Sequence, residues 1–260
     1  MAIVRDRALI LRRYPFSESS LVVHACTRDR GRVHLLAKGA YRPTSRYCGV
    51  LDLLDSLEIE WAESPHRELS NLRAGSILLR RRAIPDDLGR WLAANQVLEL
   101  ADLASRPAHP DRPLFELLES SLDDLQAGSS RPEAVVVAFE LAYLDVLGLS
   151  PALVECAACG GPAPPVPTAS SPAAPGPRVA FSAGAGGRLC RACADEARAS
   201  GRRVGTLPLE TLEDALGLRG GASAAAALPA ERLARVREFA DRFLDYHLET
   251  RPRTRARVPA

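Results

Sequence analysis

The chain has 260 residues, of which 47% are hydrophobic, and its formal net charge is +2. This length and composition suit two modest domains and a small module with hydrophobic cores, and the lack of any apolar run of about eighteen residues excludes a membrane-spanning helix. The first residues carry charges where a secretory signal has its apolar segment, so we expect a cytoplasmic protein with reduced thiols.

The first third of the chain predicts five short strands. Asp29 and Gly31 mark a turn between the second and third strands, and Leu57, Ile59 and Trp61 alternate with glutamates in the fourth. Short strands separated by turns fit a small closed barrel, and an SH3-like barrel fits nearly as well on periodicity alone. The strands are predicted at residues 3–13, 21–27, 32–37, 56–62 and 69–78.

The pattern becomes helical after residue 85. Asp86 and Asp87 are suited to cap a first helix, and Pro113 is suited to the first turn of a second. Residues 220–228, rich in Ala and Gly, are either a loop or a weak helix. Together these signals indicate a helical bundle interrupted by a small module. The first helix is predicted to begin at the cap and acidic first turn of Asp86 and Asp87 and to end at residue 105, and the others are predicted over residues 113–128, 132–147 and 230–249.

Charge is unevenly distributed along the chain. Residues 1–85 carry fifteen basic and nine acidic side chains, whereas residues 86–150 carry four and twelve. The basic region suits phosphate, and the acidic region either repels phosphate or attracts a basic protein. The alternative is that the two regions are solvated faces of opposite sign that pack on each other. Among the 34 basic residues only Lys38 is a lysine.

Two Cys-x-x-Cys pairs provide the strongest chemical signal, at Cys156 and Cys159 and at Cys190 and Cys193. Four thiolates in two close pairs are the ligands of a tetrahedral structural zinc. Gly160 follows the first pair, where a side chain would obstruct the backbone amides that point at sulfur. A redox pair or two disulfides are the alternatives. A redox Cys-x-x-Cys pair normally opens a helix that follows a strand. Six cysteines in 260 residues are few for a disulfide scaffold.

Three further features give weaker signals. Cys26 and Cys48 are best explained as buried small apolar residues. The Pro/Ala-rich residues 162–177 predict a mobile loop between the cysteine pairs. The Arg-rich tail, residues 251–260, could contact phosphate, although a solvated chain end is the preferred interpretation. The sequence contains no phosphate-binding loop, dinucleotide fingerprint, zinc-protease motif or nucleophile elbow, so we expect neither an enzyme nor a small-molecule substrate.

Several segments, taken together, resemble the bacterial recombination mediator family RecO. The resemblance covers nearly the whole chain in the family's order, and only the Pro/Ala-rich insertion is longer than the short hairpin expected there. It rests on residues 9–20 (LILRRYPFSESS), 27–31, 36–47 (LAKGAYRPTSRY), 139–160 (FELAYLDVLGLSPALVECAACG), 186–193 (GGRLCRAC) and 243–248 (FLDYHL).

The resemblance implies an α+β multidomain protein with an N-terminal five-stranded OB-fold barrel, followed by a helical domain that carries a four-cysteine zinc module. It also implies binding of single- and double-stranded DNA, annealing of complementary strands, and work with RecR and the tail of single-strand-binding protein to place RecA on single-stranded DNA. The protein is then expected in the bacterial cytoplasm, associated with the nucleoid. The expected limits are 1–82 for the barrel, 83–152 and 201–250 for the helical domain, 153–200 for the zinc module and 251–260 for the tail.

Five basic side chains are predicted to contact DNA. Four aromatic residues are interleaved with them, and these either stack on bases or pack in the barrel. A zinc-stiffened adaptor that does not bind DNA, with the acidic helices as its working surface, and an RNA-binding OB protein are the competing interpretations. The basic residues are Arg12, Arg13, Lys38, Arg42 and Arg46, and the aromatic ones are Tyr14, Phe16, Tyr41 and Tyr47.

Overall fold

The computed structural model describes residues 2–63, 68–165, 176–225, 227–248 and 252–254. By its contacts the chain forms two compact units. The first runs from the amino terminus to Gly128 and includes Thr254, and the second spans Ser129–Arg253. Within the described ranges, no helix has both the length and the apolar character needed to cross a bilayer. Most of the predicted mobile loop and of the Arg-rich tail lies outside the described residues, so those two interpretations stay predictions.

The first unit contains the predicted barrel. Its strands close in the order β1-β2-β3-β5-β4, and every pairing is antiparallel except that of β3 with β5. This arrangement is that of an OB-fold, which confirms the fold expected from the resemblance. The strands are β1 (Ala2–Pro15), β2 (Leu21–Thr27), β3 (Gly31–Ala37), β4 (Ser56–Glu63) and β5 (Leu69–Leu79).

Closure of the barrel depends on the length of β1. Its first half pairs with β4 and its second half with β2, and the register shifts between Ile10 and Arg12. Such a bulge bends a strand and increases its twist, which lets one strand serve two neighbours. Alternate residues then point inward, and Ile10 and Trp61, each at most about 1% exposed, are among the side chains that fill the core.

Two helices complete the first unit, α1 (Leu88–Ala104) and α2 (Arg112–Ala127). The carboxylate of Asp87 accepts a hydrogen bond from the Arg90 amide at the start of α1, and Gly128 ends α2 in the left-handed conformation. Both helix ends follow from side chains or a glycine that satisfy free backbone groups. The predicted helices are therefore confirmed to within a residue or two.

The second unit combines helices with a small sheet. Helix α3 is buried on nearly every side and packs against α5, α6 and α7. The sheet has the order β7-β6-β8, and the sequence did not predict it because its strands are too short to show a period. The elements are α3 (Pro132–Val146), β6 (Arg178–Ser182), β7 (Gly187–Leu189), α4 (Arg191–Ala199), β8 (Gly205–Pro208), α5 (Leu209–Leu218), α6 (Ala222–Ala225) and α7 (Ala230–His247).

Candidate metal centre and nucleic-acid interface

The four cysteines of the two pairs converge in the second unit. The sulfurs of Cys156, Cys159, Cys190 and Cys193 all lie within 4.8 Å of one another. A tetrahedral zinc with bonds of about 2.3 Å separates its sulfurs by about 3.8 Å. A closing movement of at most about 1 Å between any two sulfurs therefore converts the observed cluster into a tetrahedral ligand set.

The first pair lies in a tight backbone loop. The amide of Cys156 donates to the Gly161 carbonyl at 2.9 Å, and the amide of Gly160 donates to the Cys156 carbonyl at 2.8 Å. Gly160 has a φ of 71°, a left-handed conformation that glycine adopts without strain. This loop turns the sulfurs of Cys156 and Cys159 toward one point.

The second pair is held at a helix amino terminus. Cys190 is the N-cap of α4, and Cys193 lies in its first turn. The free backbone amides at such an end stabilise thiolates. Ala157 donates to the Arg188 carbonyl at 2.8 Å, so strand β7 contacts the first loop directly.

A glycine allows the close approach that joins the two pairs. The amide of Arg188 donates to the Ala152 carbonyl at 2.8 Å, and the Ala152 amide donates to the Gly186 carbonyl at 3.0 Å. A β-carbon on Gly187 would lie only 2.4 Å from the Ala152 carbonyl oxygen. No pattern in the sequence indicates this requirement, because nothing lies within 4 Å of a β-carbon on the adjacent Gly186.

The electrostatics of the cluster favour a bound cation. Burial raises the pKa of the Cys156 thiol, but backbone hydrogen bonds from Cys190, Cys159 and Ala158 outweigh it and lower the pKa to about 6. Hydrogen bonds with the other three sulfurs raise the pKa of Cys193 to about 12. Four sulfurs this close cannot all ionise unless a cation is present among them. The donor set therefore fits a soft metal ion that can be held by four thiolates.

The remaining cysteines behave differently from each other. Cys26 is buried in β2, and burial raises the pKa of its thiol to about 12. Cys48 is exposed, so its prediction as a buried residue was wrong. It lies in the long loop between β3 and β4, where the apolar periodicity of the strands does not extend.

Ion pairs explain much of the uneven charge of the sequence. Basic side chains of the first 85 residues bind carboxylates of α1 and α2, and two of these acidic groups, Asp102 and Glu119, are largely buried. The acidic helices are thus in large part neutralised inside the first unit, as the packing alternative expected. The pairs are Arg7–Glu119, Arg12–Asp102, Arg28–Glu116, Arg32–Asp102 and Arg81–Asp123.

The predicted DNA-contacting residues fall into two groups. Arg12 binds Asp102 at 2.6 Å, and Arg13 binds Asp52 at 2.6 Å. Lys38, Arg42 and Arg46 are exposed in the loop that joins β3 to β4, and they form no ion pair with any described residue. The structure therefore separates two paired arginines from three basic side chains that remain available to a ligand.

Arg73 joins the second group, although the sequence analysis did not select it. The guanidinium of Arg46 donates to the Arg73 carbonyl at 3.1 Å, and Arg73 is exposed without an ion pair in the described chain. Its position on β5 beside a loop that is distant in sequence could not be read from the residue pattern. We call Lys38, Arg42, Arg46 and Arg73 the basic loop cluster.

The aromatic residues divide in the same way. Phe16 and Tyr41 are 60% and 48% exposed, and the Tyr41 amide donates to the Ser19 carbonyl at 3.0 Å, which joins the β1–β2 turn to the basic loop. Tyr47 is 6% exposed, and its hydroxyl donates to the Leu72 carbonyl. Tyr47 thus belongs to the barrel core, whereas Phe16 and Tyr41 present free ring surface. Tyr14 is also exposed.

The second unit also contains a groove of about 1520 Å³ that the sequence analysis missed. Phe181, Phe239 and Phe243 lie at its apolar side and contact one another with ring centroids 5.2 to 6.2 Å apart. Arg202 and Arg203 line it and are exposed. The three phenylalanines are themselves buried, and Tyr246 supplies the exposed ring of the groove. The charged lining is mixed, since Arg235 and Arg242 pair there with Glu210, Glu231 and Glu238.

Comparison with known proteins gives a consistent result along the chain. The family described as Recombination protein O N terminal matches residues 1–80, and Recombination protein O C terminal matches residues 85–256. A DNA repair protein RecO of Anaeromyxobacter dehalogenans (strain 2CP-1 / ATCC BAA-258) is 39% identical over 252 residues, which cover 95% of this chain and 93% of the relative. A protein of the same name from Myxococcus xanthus (strain DK1622) is 31% identical over 246 residues, with 95% and 93% covered.

Proposed function

This chain belongs to the RecO family of DNA repair proteins, and on that premise we propose that it is a recombination mediator of the RecF pathway. It binds single- and double-stranded DNA, anneals complementary strands and helps to load RecA onto single-stranded DNA that is coated by single-strand-binding protein. RecR and the tail of single-strand-binding protein are its protein partners. It acts by binding and positioning DNA, without catalysis.

The observation that carries this proposal is the basic loop cluster. Arg5, Arg7, Arg13, Arg28 and other basic side chains of the barrel are already paired with carboxylates, whereas the cluster is exposed and unpaired among the described residues. Unpaired cations release counterions when they meet phosphate, and nearby exposed rings can stack on bases. Such contacts read the backbone rather than the sequence, as annealing of arbitrary strands requires.

In this proposal the metal is zinc and its role is architectural. All four sulfurs serve as ligands, so no coordination position remains for water or substrate. When bound, the ion supplies the positive charge that lets the four thiols ionise together. The residues around it, Ala180, Leu189 and Ala194 among them, form only a small apolar cluster, which is too small to stabilise this module alone.

The groove of the second unit fits a protein partner. The exposed ring of Tyr246 suits an apolar anchor residue, and Arg202 and Arg203 suit acidic residues beside that anchor. We therefore place an acidic peptide segment of a protein partner there, and not on the acidic helices, whose carboxylates are largely paired inside the first unit.

The test is annealing of complementary oligonucleotides, one of them coated with single-strand-binding protein, across a salt series. The parent protein is expected to accelerate annealing, and the acceleration should fade as salt rises. The triple variant K38A/R42A/R46A should lose most of this acceleration. The slope of the logarithm of its binding constant for single-stranded DNA against the logarithm of salt concentration should be smaller by about two.

The control removes three exposed arginines outside the cluster, as R82A/R106A/R191A, which changes the net charge equally. Acceleration should persist in this control. Equal loss in both variants would attribute the effect to net charge and would contradict the assigned surface. No acceleration by folded, metal-loaded parent protein at any salt would favour the adaptor interpretation, and tighter binding of RNA than of DNA would favour the RNA-binding one.

A further inference from the structure

Three rings lie side by side on the outer face of the barrel. Tyr14, His24 and His34 lie on β1, β2 and β3, with centroids 5.0 Å apart for the first pair and 3.9 Å for the second. The two imidazoles are stacked with 20° between their planes. His24 and His34 are directly opposite in the β2–β3 register, where neighbouring strands lie about 4.8 Å apart. Tyr14 is diagonal to His24, since its partner in the β1–β2 register is Val22.

The row leads toward the surface assigned to DNA. Tyr14 is 40% exposed and lies on the strand that ends in the β1–β2 turn. Phe16 in that turn is 60% exposed, and the Tyr41–Ser19 hydrogen bond ties the turn to the basic loop. This outer face of the second and third strands is also where OB-folds in general bind oligonucleotides. A strand held by the basic loop cluster can therefore continue over the rings.

We propose that Tyr14, His24 and His34 extend the DNA-binding surface, with the exposed ring of Tyr14 stacking on a base of single-stranded DNA, and that binding there is accompanied by uptake of a proton by the stacked histidine pair. This inference rests on the DNA binding proposed above. It adds a second contact surface to the basic loop cluster and makes the affinity for DNA depend on pH near neutrality.

The groups around the pair explain why the free protein keeps it neutral. Burial lowers the pKa of His24 below its ordinary value of 6.5, and His34, Arg32 and Arg12 lower it further, while Asp102 opposes them. Burial and Arg32 likewise lower the pKa of His34, against the opposing charges of Glu68 and Asp102. Among the described residues, Nε2 of His34 has no hydrogen-bond partner.

A bound phosphate changes this balance. Arg12 lies directly across from His24 in the β1–β2 register, and its guanidinium is held by Asp102. A negative phosphate beside this row offsets the positive charge of Arg12 and Arg32, so the pKa of a histidine is higher in the complex than in the free protein. The histidine then binds a proton more tightly in the DNA complex than in the free protein. The affinity for DNA must therefore rise as pH falls through the pKa that this histidine has in the complex.

The experiment measures binding of a fluorescent oligothymidylate by anisotropy, at constant ionic strength, between about pH 7.5 and about pH 5.5. The affinity of the parent protein should rise by about threefold to tenfold over this range, as for a rise of about half to one unit in the pKa of one histidine on binding. The double variant H24Q/H34Q should show a flat profile. The control H109Q, which removes an exposed histidine of the same unit, should keep the parent profile.

A second variant tests stacking separately. Abasic sites in the oligonucleotide should weaken binding to the parent by at least about fivefold, and the penalty should be smaller for Y14L. A double variant with the pH profile of the parent, or an unchanged abasic penalty in Y14L, overturns the inference. Parent protein that binds DNA without pH dependence overturns it alone, whereas parent protein that binds no DNA at any pH overturns the proposed function as well.

Discussion

Arg81 offers a sharp test of how the first unit is held together. Its side chain is completely buried, whereas that of its partner Asp123 is 48% exposed. It donates to Asp123 from Nε at 2.8 Å, to the Leu54 carbonyl at 2.6 Å and to the Ser56 hydroxyl at 3.1 Å. Leu54 has a φ of 78°, so the same guanidinium also holds a strained turn in place.

The cost of R81A follows from these contacts. Breaking a buried ion pair costs about 3–5 kcal/mol, and the lower end applies because Asp123 regains water once it is released. The Leu54 carbonyl loses its donor, which costs about 1–3 kcal/mol when no water replaces it. We therefore expect the free energy of unfolding of the first unit to fall by about 3 kcal/mol.

The assay is urea unfolding followed by tryptophan fluorescence. Both tryptophans of the chain, Trp61 in β4 and Trp91 in α1, belong to the first unit, so this signal reports on that unit alone. With an m-value of about 2 kcal/mol per molar urea, the midpoint should fall by about 1.5 M. The adjacent exposed Arg82 supplies the control, and R82A should shift the midpoint by less than about 0.3 M. A loss below about 1 kcal/mol in R81A would refute this account of the network.

Two further predictions concern the metal centre. C156S should lower bound zinc from about one ion per chain to near zero and should lower the melting temperature of the second unit. C48S is the control and should change neither quantity. Elemental analysis measures the zinc content, and calorimetry measures the melting temperature. G187A should shorten the time to lose half of the metal to a chelator by at least about tenfold, because its new methyl group meets the Ala152 backbone and its φ of 153° is unfavourable for alanine. The control is G205A, where the space is open, and equal release from both would count against the close contact between Gly187 and Ala152.

The elements that the sequence predicted are those whose cause is local. Alternation of Leu57, Ile59 and Trp61 is a property of one strand, and the cap at Asp87 and the stop at Gly128 are properties of single helix ends. The spacing of the cysteine pairs is local as well, and the structure brings their four sulfurs together. The strand periodicity alone did not distinguish an OB-fold from an SH3-like barrel. The OB-fold was predicted from the resemblance to the RecO family.

What the sequence did not predict depends on partners that are distant along the chain. Arg12 and Arg42 look equivalent in a list of basic residues, yet Asp102 binds only the first of them. The stacked histidines are ten residues apart, and only the β2–β3 register places them opposite each other. The pairing of Asp102, Glu116, Glu119 and Asp123 with the barrel is likewise invisible in the charge pattern of the acidic helices.

The composition of the basic loop cluster has a practical consequence. Lys38 is the single lysine of the chain and lies exposed at the assigned DNA surface. Lys38 therefore carries the one side-chain amine that an acylating reagent can modify, which peptide mapping separates from the α-amino group. A lysine-specific protease has one cleavage site, within the β3–β4 loop. The protein thus carries a natural reporter: the rate at which Lys38 is acylated, measured with and without DNA, reads occupancy of the interface without any engineered label.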